Sequence, residues 1–361
     1  MISFPDRTAP SFGEVPGRWS HRRSRLLAAV LATTFLFGVP HGTSRAQNVP
    51  GIASNGSEAA KLAPVDQEKR YLVQSIDGAL HTVTDGVYMA MFLVYGTDED
   101  GCVVMVDAPP TINTRLITAI RDVTDRPITH LVYTHDHTDH IGAARLFEGA
   151  TRIAHARTGR ILTELGDPRR PAPDITFEDS YTLTVGERRL RLDYRGPNHT
   201  PGNIFVHDPD ARTLMLVDVV FPGWMPFKNL GIVQDVPGYI EAFDEALTYE
   251  FDTFVGGHVS RAGTRADVET ARDFIRDLEA VSREVSASLP FGDYARDANT
   301  RNPWQLYNGY QDELTRRCVE RIVPRWVDRL SGTETYAPDN CWTMIEAVSV
   351  DLPPEPDRAE Q

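Results

Sequence analysis

Thr134-His135-Asp136-His137-Thr138-Asp139-His140 packs three imidazoles and two carboxylates into seven residues, directly after the apolar run Ile128-Thr129-His130-Leu131-Val132-Tyr133. A strand that ends in such a cluster delivers its polar side chains to a sheet edge, where open α/β sheets place their chemistry. Imidazole nitrogen and carboxylate oxygen are the donor set of zinc and similar borderline metals. A polar loop capping a helix near Asp139 would account for one aspartate. It leaves three histidines at H-x-H-x-D-H spacing unexplained.

Further along the chain the pattern recurs. His199 lies in the turn-rich segment Gly196-Pro197-Asn198-His199-Thr200-Pro201-Gly202-Asn203. Asp218 closes the apolar run Thr213-Leu214-Met215-Leu216-Val217, and His258 closes Phe254-Val255-Gly256-Gly257. A lone histidine in a loop is most often structural, and an isolated aspartate often only shapes a turn. Their succession after the first cluster is what gives them weight.

The order H-x-H-x-D-H, His, Asp, His resembles the metallo-β-lactamase superfamily. The gaps resemble it too: 59 residues from His140 to His199, 19 to Asp218 and 40 to His258. Asp107, after Val103-Val104-Met105-Val106, matches an early strand-end aspartate of that family. The resemblance covers residues 71–285 and implies an α/β fold, a four-layer αββα sandwich, here with a C-terminal helical extension. It further implies that His135, His137 and His199 hold one metal, that Asp139, His140 and His258 hold a second, and that Asp218 bridges them. Asp139 and Asp218 are then the catalytic carboxylates, Asp107 orients a ligand, and Asp136 occupies a variable position. Two zinc ions are the expected cofactor, with iron or manganese as alternatives. A hydroxide shared between the metals would attack the substrate.

Asp218 resembles the bridging aspartate of the lactonase, glyoxalase II and phosphodiesterase branches; branches that split β-lactams usually carry Cys or Ser there. The resemblance therefore implies a hydrolase of small esters, lactones, thioesters or related substrates. β-Lactam hydrolysis, a mononuclear iron oxidoreductase of the persulfide dioxygenase type and a noncatalytic metal-binding protein are the alternatives. His137 stands where flavodiiron reductases usually have Glu, which weakens a diiron redox role.

Residues 1–46 read as an export signal: Arg18, Arg22, Arg23 and Arg25 precede an apolar run of 14 residues, Leu26 to Val39, and Ser44-Arg45-Ala46 suits cleavage. The Arg22-Arg23 pair also resembles a twin-arginine signal. The expected location is periplasmic or secreted. Removing 1–46 takes away 6 Lys and Arg and 2 Asp and Glu, leaving 31 basic against 49 acidic side chains, a net charge of −18. Such acidity disfavours nucleic acid and anionic membranes as partners and leaves a small-molecule substrate as the expected one. The sequence is silent on oligomeric state.

Residues 47–70 read as a linker, 71–285 as the hydrolase domain and 286–361 as a helical extension and tail. Strands are expected near 71–76, 80–84, 87–95, 102–107, 128–133, 180–185, 188–194, 203–207, 213–217 and 252–257. Helices are expected near 112–124, 139–148, 156–165, 238–250, 265–288 and from 304 to about 330. Thr264 is a candidate cap for the helix at 265, and His207 reads as structural. Cys318 and Cys341 either pair, as exported proteins permit, or remain two buried thiols. Phe221-Pro222-Gly223-Trp224-Met225-Pro226-Phe227 either shapes the substrate pocket or packs against the C-terminal helices. Arg316, Arg317, Arg321, Arg325 and Arg329 either meet an acidic substrate or form a solvated helix face.

Overall fold

The computed structural model describes residues 60–96 and 101–353. The expected export signal, the first part of the expected linker and the end of the tail lie outside the described residues. One sheet runs in the order β1 (Leu72–Ser75), β2 (Leu80–Thr84), β3 (Met89–Tyr95), β4 (Cys102–Val106), β5 (Ile128–Val132), β6 (Thr151–His155) and β7 (Ile175–Phe177). It is antiparallel up to β4 and parallel from there on. The second sheet has the order β12 (Thr253–Val255), β11 (Thr213–Met215), β10 (Phe205–Asp208), β9 (Arg188–Asp193) and β8 (Ser180–Val185). Only its β11–β12 pair is parallel.

Strand periodicity builds the layers. Val104 and Val106 of β4 face Leu190, Leu192, Val206 and Met215 across the inter-sheet core. Their neighbours Val103 and Met105 face the opposite way, onto Leu116 and Ile120 of α1 (Arg115–Arg121). On the far side, Phe205, Leu214 and Phe254 of the second sheet bury against α5 (Val236–Leu247) and α6 (Arg265–Ser288). The order helix, sheet, sheet, helix is the αββα sandwich.

Two further long helices, α8 (Pro303–Trp326) and α9 (Thr333–Val350), thicken the outer helical layer. Ile322, Trp326 and Met344 join Phe243, Phe274 and Leu278 in one core. A disulfide joins Cys318 of α8 to Cys341 of α9, which settles the alternatives left by the sequence. The arginines of α8 pair with carboxylates: Arg316 and Arg317 with Glu313, Arg321 with Glu284 and Arg325 with Asp277. They form the solvated face.

Several boundaries differ from expectation. The helix expected at 139–148 breaks into α2 (Thr138–Ile141) and a 3-10 turn at Ala144–Phe147. Backbone bonds from Ala108 to His140 and from Ala143 to Ala108 pin that corner to the end of β4. The helix expected at 112–124 is confined to 115–121. Strands β6 and β7 were not expected, and within the helical extension read over 286–361 the structure adds α7 (Phe291–Asp297) and α9 to the helix expected from 304. Helix α3 (Ala156–Leu165) and α6 match their expected spans. Thr264 and Asp267 close a reciprocal capping box at the start of α6.

Candidate metal centre

Four strand ends converge at one edge of the sandwich. Asp107 follows β4, the His135–His140 loop follows β5, and Asp218 and His258 each lie three residues past the ends of β11 and β12. The two sheets are stitched together there. Met89 N–H donates to the Gly257 carbonyl (2.8 Å) and Val259 N–H to the Val87 carbonyl (3.0 Å). Gly257 has φ 81°, and a Cβ on it would sit 2.5 Å from a Val217 methyl and 3.2 Å from the His140 ring. Only glycine fits between the strand and the ring.

All seven predicted ligands gather at this edge in two groups, His135, His137, His199 and Asp218 in one, Asp139, His140 and His258 in the other. Asp218 reaches both. Its Oδ2 lies 3.1 Å from His199 Nε2 and 3.1 Å from His140 Nε2, and its Oδ1 lies 2.8 Å from His258 Nε2. His199 Nε2 stands 3.1 Å from His137 Nδ1, and His140 Nε2 stands 3.2 Å from His258 Nε2. Two nitrogens on one tetrahedral ion at about 2.0–2.1 Å are separated by about 3.3 Å.

The surrounding hydrogen bonds fix which nitrogen faces the centre. His258 Nδ1 is 3.1 Å from the Val87 carbonyl, which can only accept, so Nδ1 carries the proton. That bond turns His258 Nε2 toward the Asp218 carboxylate, 2.8 Å from its Oδ1. On the other side, Asp107 accepts from Thr134 N–H (2.9 Å) and from its hydroxyl (2.7 Å). With its proton spent on Asp107, the Thr134 hydroxyl accepts from His135 Nδ1 at 3.1 Å. His135 Nε2 is left bare, buried and without a hydrogen-bond partner. Lone pairs that converge on a carboxylate in a dry site call for a cation. The donor set fits two transition-metal ions, and the arrangement is a binuclear metal-binding site.

The electrostatics divide the imidazoles of the site. Burial, reinforced by His140 and His199, holds His135 well below the usual imidazole range, so it stays neutral as a ligand must. Burial and His199 likewise lower His137. Burial opposes charge on His140 as well, but Asp218 wins and lifts it to about 9. Burial works against the Asp218 anion, yet His140, His199 and His258 hold its carboxyl well below the carboxylate range. Asp107, fully buried, is pushed up to about 6 by burial, with His140 opposing.

Asp107 stands behind the centre, 3.9 Å from His140 Nδ1, and belongs to neither ligand group. Asp136 is also outside both groups, and its carbonyl accepts from Arg170. His207 Nε2 meets the Glu250 carbonyl at 3.1 Å and belongs to neither ligand group. In the aromatic segment, Met225 belongs to the helical core, while the rings of buried Phe221 and of Phe227 lie 5.6 and 5.5 Å from that of His258.

Two residues at the centre escaped sequence reasoning. Tyr88 places its ring 4.8 Å from that of His258 and 5.5 Å from that of His140. Burial, then Asp139 and Asp218, raise its phenol, which stays a proton donor. Gln234 brings its amide within 3.3 Å of His137 Nε2. Tyr88 was hidden in an apolar run and Gln234 in a loop, with no spacing signal to mark either.

The sequence model of the metallo-beta-lactamase superfamily matches residues 85–258, from the turn before Tyr88 to the last histidine of the centre. The chain belongs to the metallo-β-lactamase superfamily. Within it, the chain is 28% identical over 213 residues to the 2,4-dinitroanisole O-demethylase subunit alpha of Nocardioides sp. (strain JS1661), covering 56% of this chain and 62% of that subunit. It is 26% identical over 215 residues to the acyl-coenzyme A thioesterase MBLAC2 of Homo sapiens, covering 47% of this chain and 75% of that protein. Among solved structures, a metallo-beta-lactamase from Pontibacter korlensis aligns with a TM-score of 0.48 at 22% identity, over 57% of this chain and 99% of that one. As a superfamily member, the chain has a hydrolase-like site with its metal-ligand set intact.

Proposed function

We propose that this protein is an exported binuclear zinc hydrolase acting on a small ester, lactone or thioester. The observation that carries the reading is the Asp218 carboxylate, buried among three imidazole Nε2 atoms at 2.8–3.1 Å and joining two ligand groups. His135, His137 and His199 would hold one ion, Asp139, His140 and His258 the other, with Asp218 shared. When bound, the ions acidify water to near neutrality and polarise the substrate's reacting oxygen. The chain's own groups do the rest. Asp218 fixes the spacing of the imidazoles, Thr134 and Val87 hold His135 and His258 in the ligating tautomer, and the Tyr88 phenol offers a proton beside Asp139. The thioesterase relative supports an acyl substrate. The demethylase subunit adds nitroaryl methyl ethers to the assay panel. The Cys318–Cys341 disulfide supports an oxidising compartment.

The test is turnover of p-nitrophenyl acetate, a γ-lactone and an acyl thioester by zinc-loaded, chelated and His137→Ala protein. Loaded wild type should turn over at least one of them, and the other two preparations none. Zinc-loaded protein inert on the whole panel, or full activity in His137→Ala, would refute the proposal.

A further inference from the structure

The chain between the aromatic segment and α5 holds an unusual backbone. Asn229, Leu230, Gly231 and Ile232, within the short α4 (Lys228–Ile232), all have positive φ, at 53°, 54°, 74° and 63°. A β-branched residue at φ 63° is an outlier that persists only where its surroundings over-determine it. Ile232 gains little from burial, since its side chain is 67% exposed. The force that holds the turn must come from elsewhere.

Within the turn, Gly231 N–H donates to the Phe227 carbonyl (3.0 Å) and Val233 N–H to the Asn229 carbonyl (3.1 Å). The buried Leu230 N–H and Pro226 carbonyl find their partners in a single side chain, Asn340 of α9. Its Oδ1 accepts from Leu230 N–H at 2.8 Å and its Nδ2 donates to the Pro226 carbonyl at 2.8 Å. Asn340 is fully buried. The next residue, Cys341, is tied to α8 by the disulfide, so the clamp sits on a fixed helix.

The clamped turn borders the metal centre along its length. Phe227 packs near His258. A Cβ on Gly231 would lie 3.5 Å from the Asp218 carbonyl oxygen, so the turn rests on the backbone of the shared carboxylate. Gln234 N–H donates to the His199 carbonyl (3.0 Å), and its amide end lies 3.3 Å from His137 Nε2. With His137 Nδ1 turned to His199, Nε2 carries the ring proton; the Gln234 amide, placed with its nitrogen toward His137 Nε2, presents its oxygen as the acceptor once the N and O ends of the amide are exchanged.

We infer that Asn340 is a positioning residue of the metal centre. By locking the left-handed turn 229–232, it fixes Gln234 against His137 and thereby sets the affinity of the first ligand group. The inference rests on the metal reading proposed above and assigns the C-terminal helices a part in it. Partners of metal-bound histidines typically change affinity by about 10–100-fold when removed.

Zinc affinity, measured by competition with a chromophoric chelator on the full chain, gives the test. Asn340→Leu should weaken the first-group site about tenfold. Amide exchange at Leu230 should also accelerate in the metal-free protein. Ile232→Gly added to Asn340→Leu should recover most of the affinity, because glycine adopts the left-handed turn without a clamp. A folded Asn340→Leu protein with wild-type zinc affinity overturns the inference. Should Asn340→Leu fail to fold, Gln234→Ala tests the other end of the linkage. A loss of about tenfold supports it, and unchanged affinity overturns it. Wild type that takes up no zinc would instead sink the metal reading itself.

Discussion

Asp218 presents one oxygen to His140 and His199 and the other to His258, from a backbone held at φ 64°. Replacing it with alanine removes the anion common to both ligand groups. Asp218→Ala should therefore lower occupancy at both positions, read as metal per chain after dialysis. Loss at one position alone would contradict a shared role. His140 gives a pH test in metal-free protein. Its folded pKa of about 9 lies above the unfolded value of about 6.5, so its ionised form stabilises the fold. That contribution is complete below pH 6.5 and is lost as pH rises through about 9. The melting temperature of the metal-free chain should fall between pH 6.5 and 9.5, and a rise over that window would contradict the His140–Asp218 pairing. The ligands themselves were legible because each ends an apolar run. Tyr88 and Gln234 were not, because their roles depend on which distant segment lies opposite them.

At the scale of elements, the centre depends on a close approach between the end of β12 and the loop after β5. Gly257→Ala places a methyl group against Val217 at a left-handed position. It should destabilise the chain by about 1–3 kcal/mol, measured by denaturant unfolding; an unchanged midpoint would refute the packing argument. Helices with a clean apolar stripe, such as α6 with Val268, Phe274, Ile275 and Leu278, could be read from the sequence to the residue. Three-residue β7 is too short to show a period. Helix α9 contains Pro338 and buries Thr333 and Asn340 among its apolar residues, which blurs its stripe. The left-handed turn 229–232 has no sequence signature beyond one glycine, because it is imposed by Asn340 from 110 residues away.

Across the whole molecule, the fold is two sheets packed face to face, with helices outside, and the C-terminal helices extend one outer layer. The layer order was legible from strand and helix periodicity together with the family resemblance. The integration of α8 and α9 into the core was not, because nothing local says where a helix docks. The disulfide closes a 23-residue separation between them. Replacing both cysteines with serine should cost about 2–4 kcal/mol of stability, read by thermal or denaturant unfolding, and equal stability would show that packing alone holds the pair. The central claim, that this sandwich exists to hold two metal ions around Asp218, is tested most directly by elemental mass spectrometry of the purified chain. About two zinc ions per chain is the predicted result. A single iron, or no transition metal at all, would contradict it.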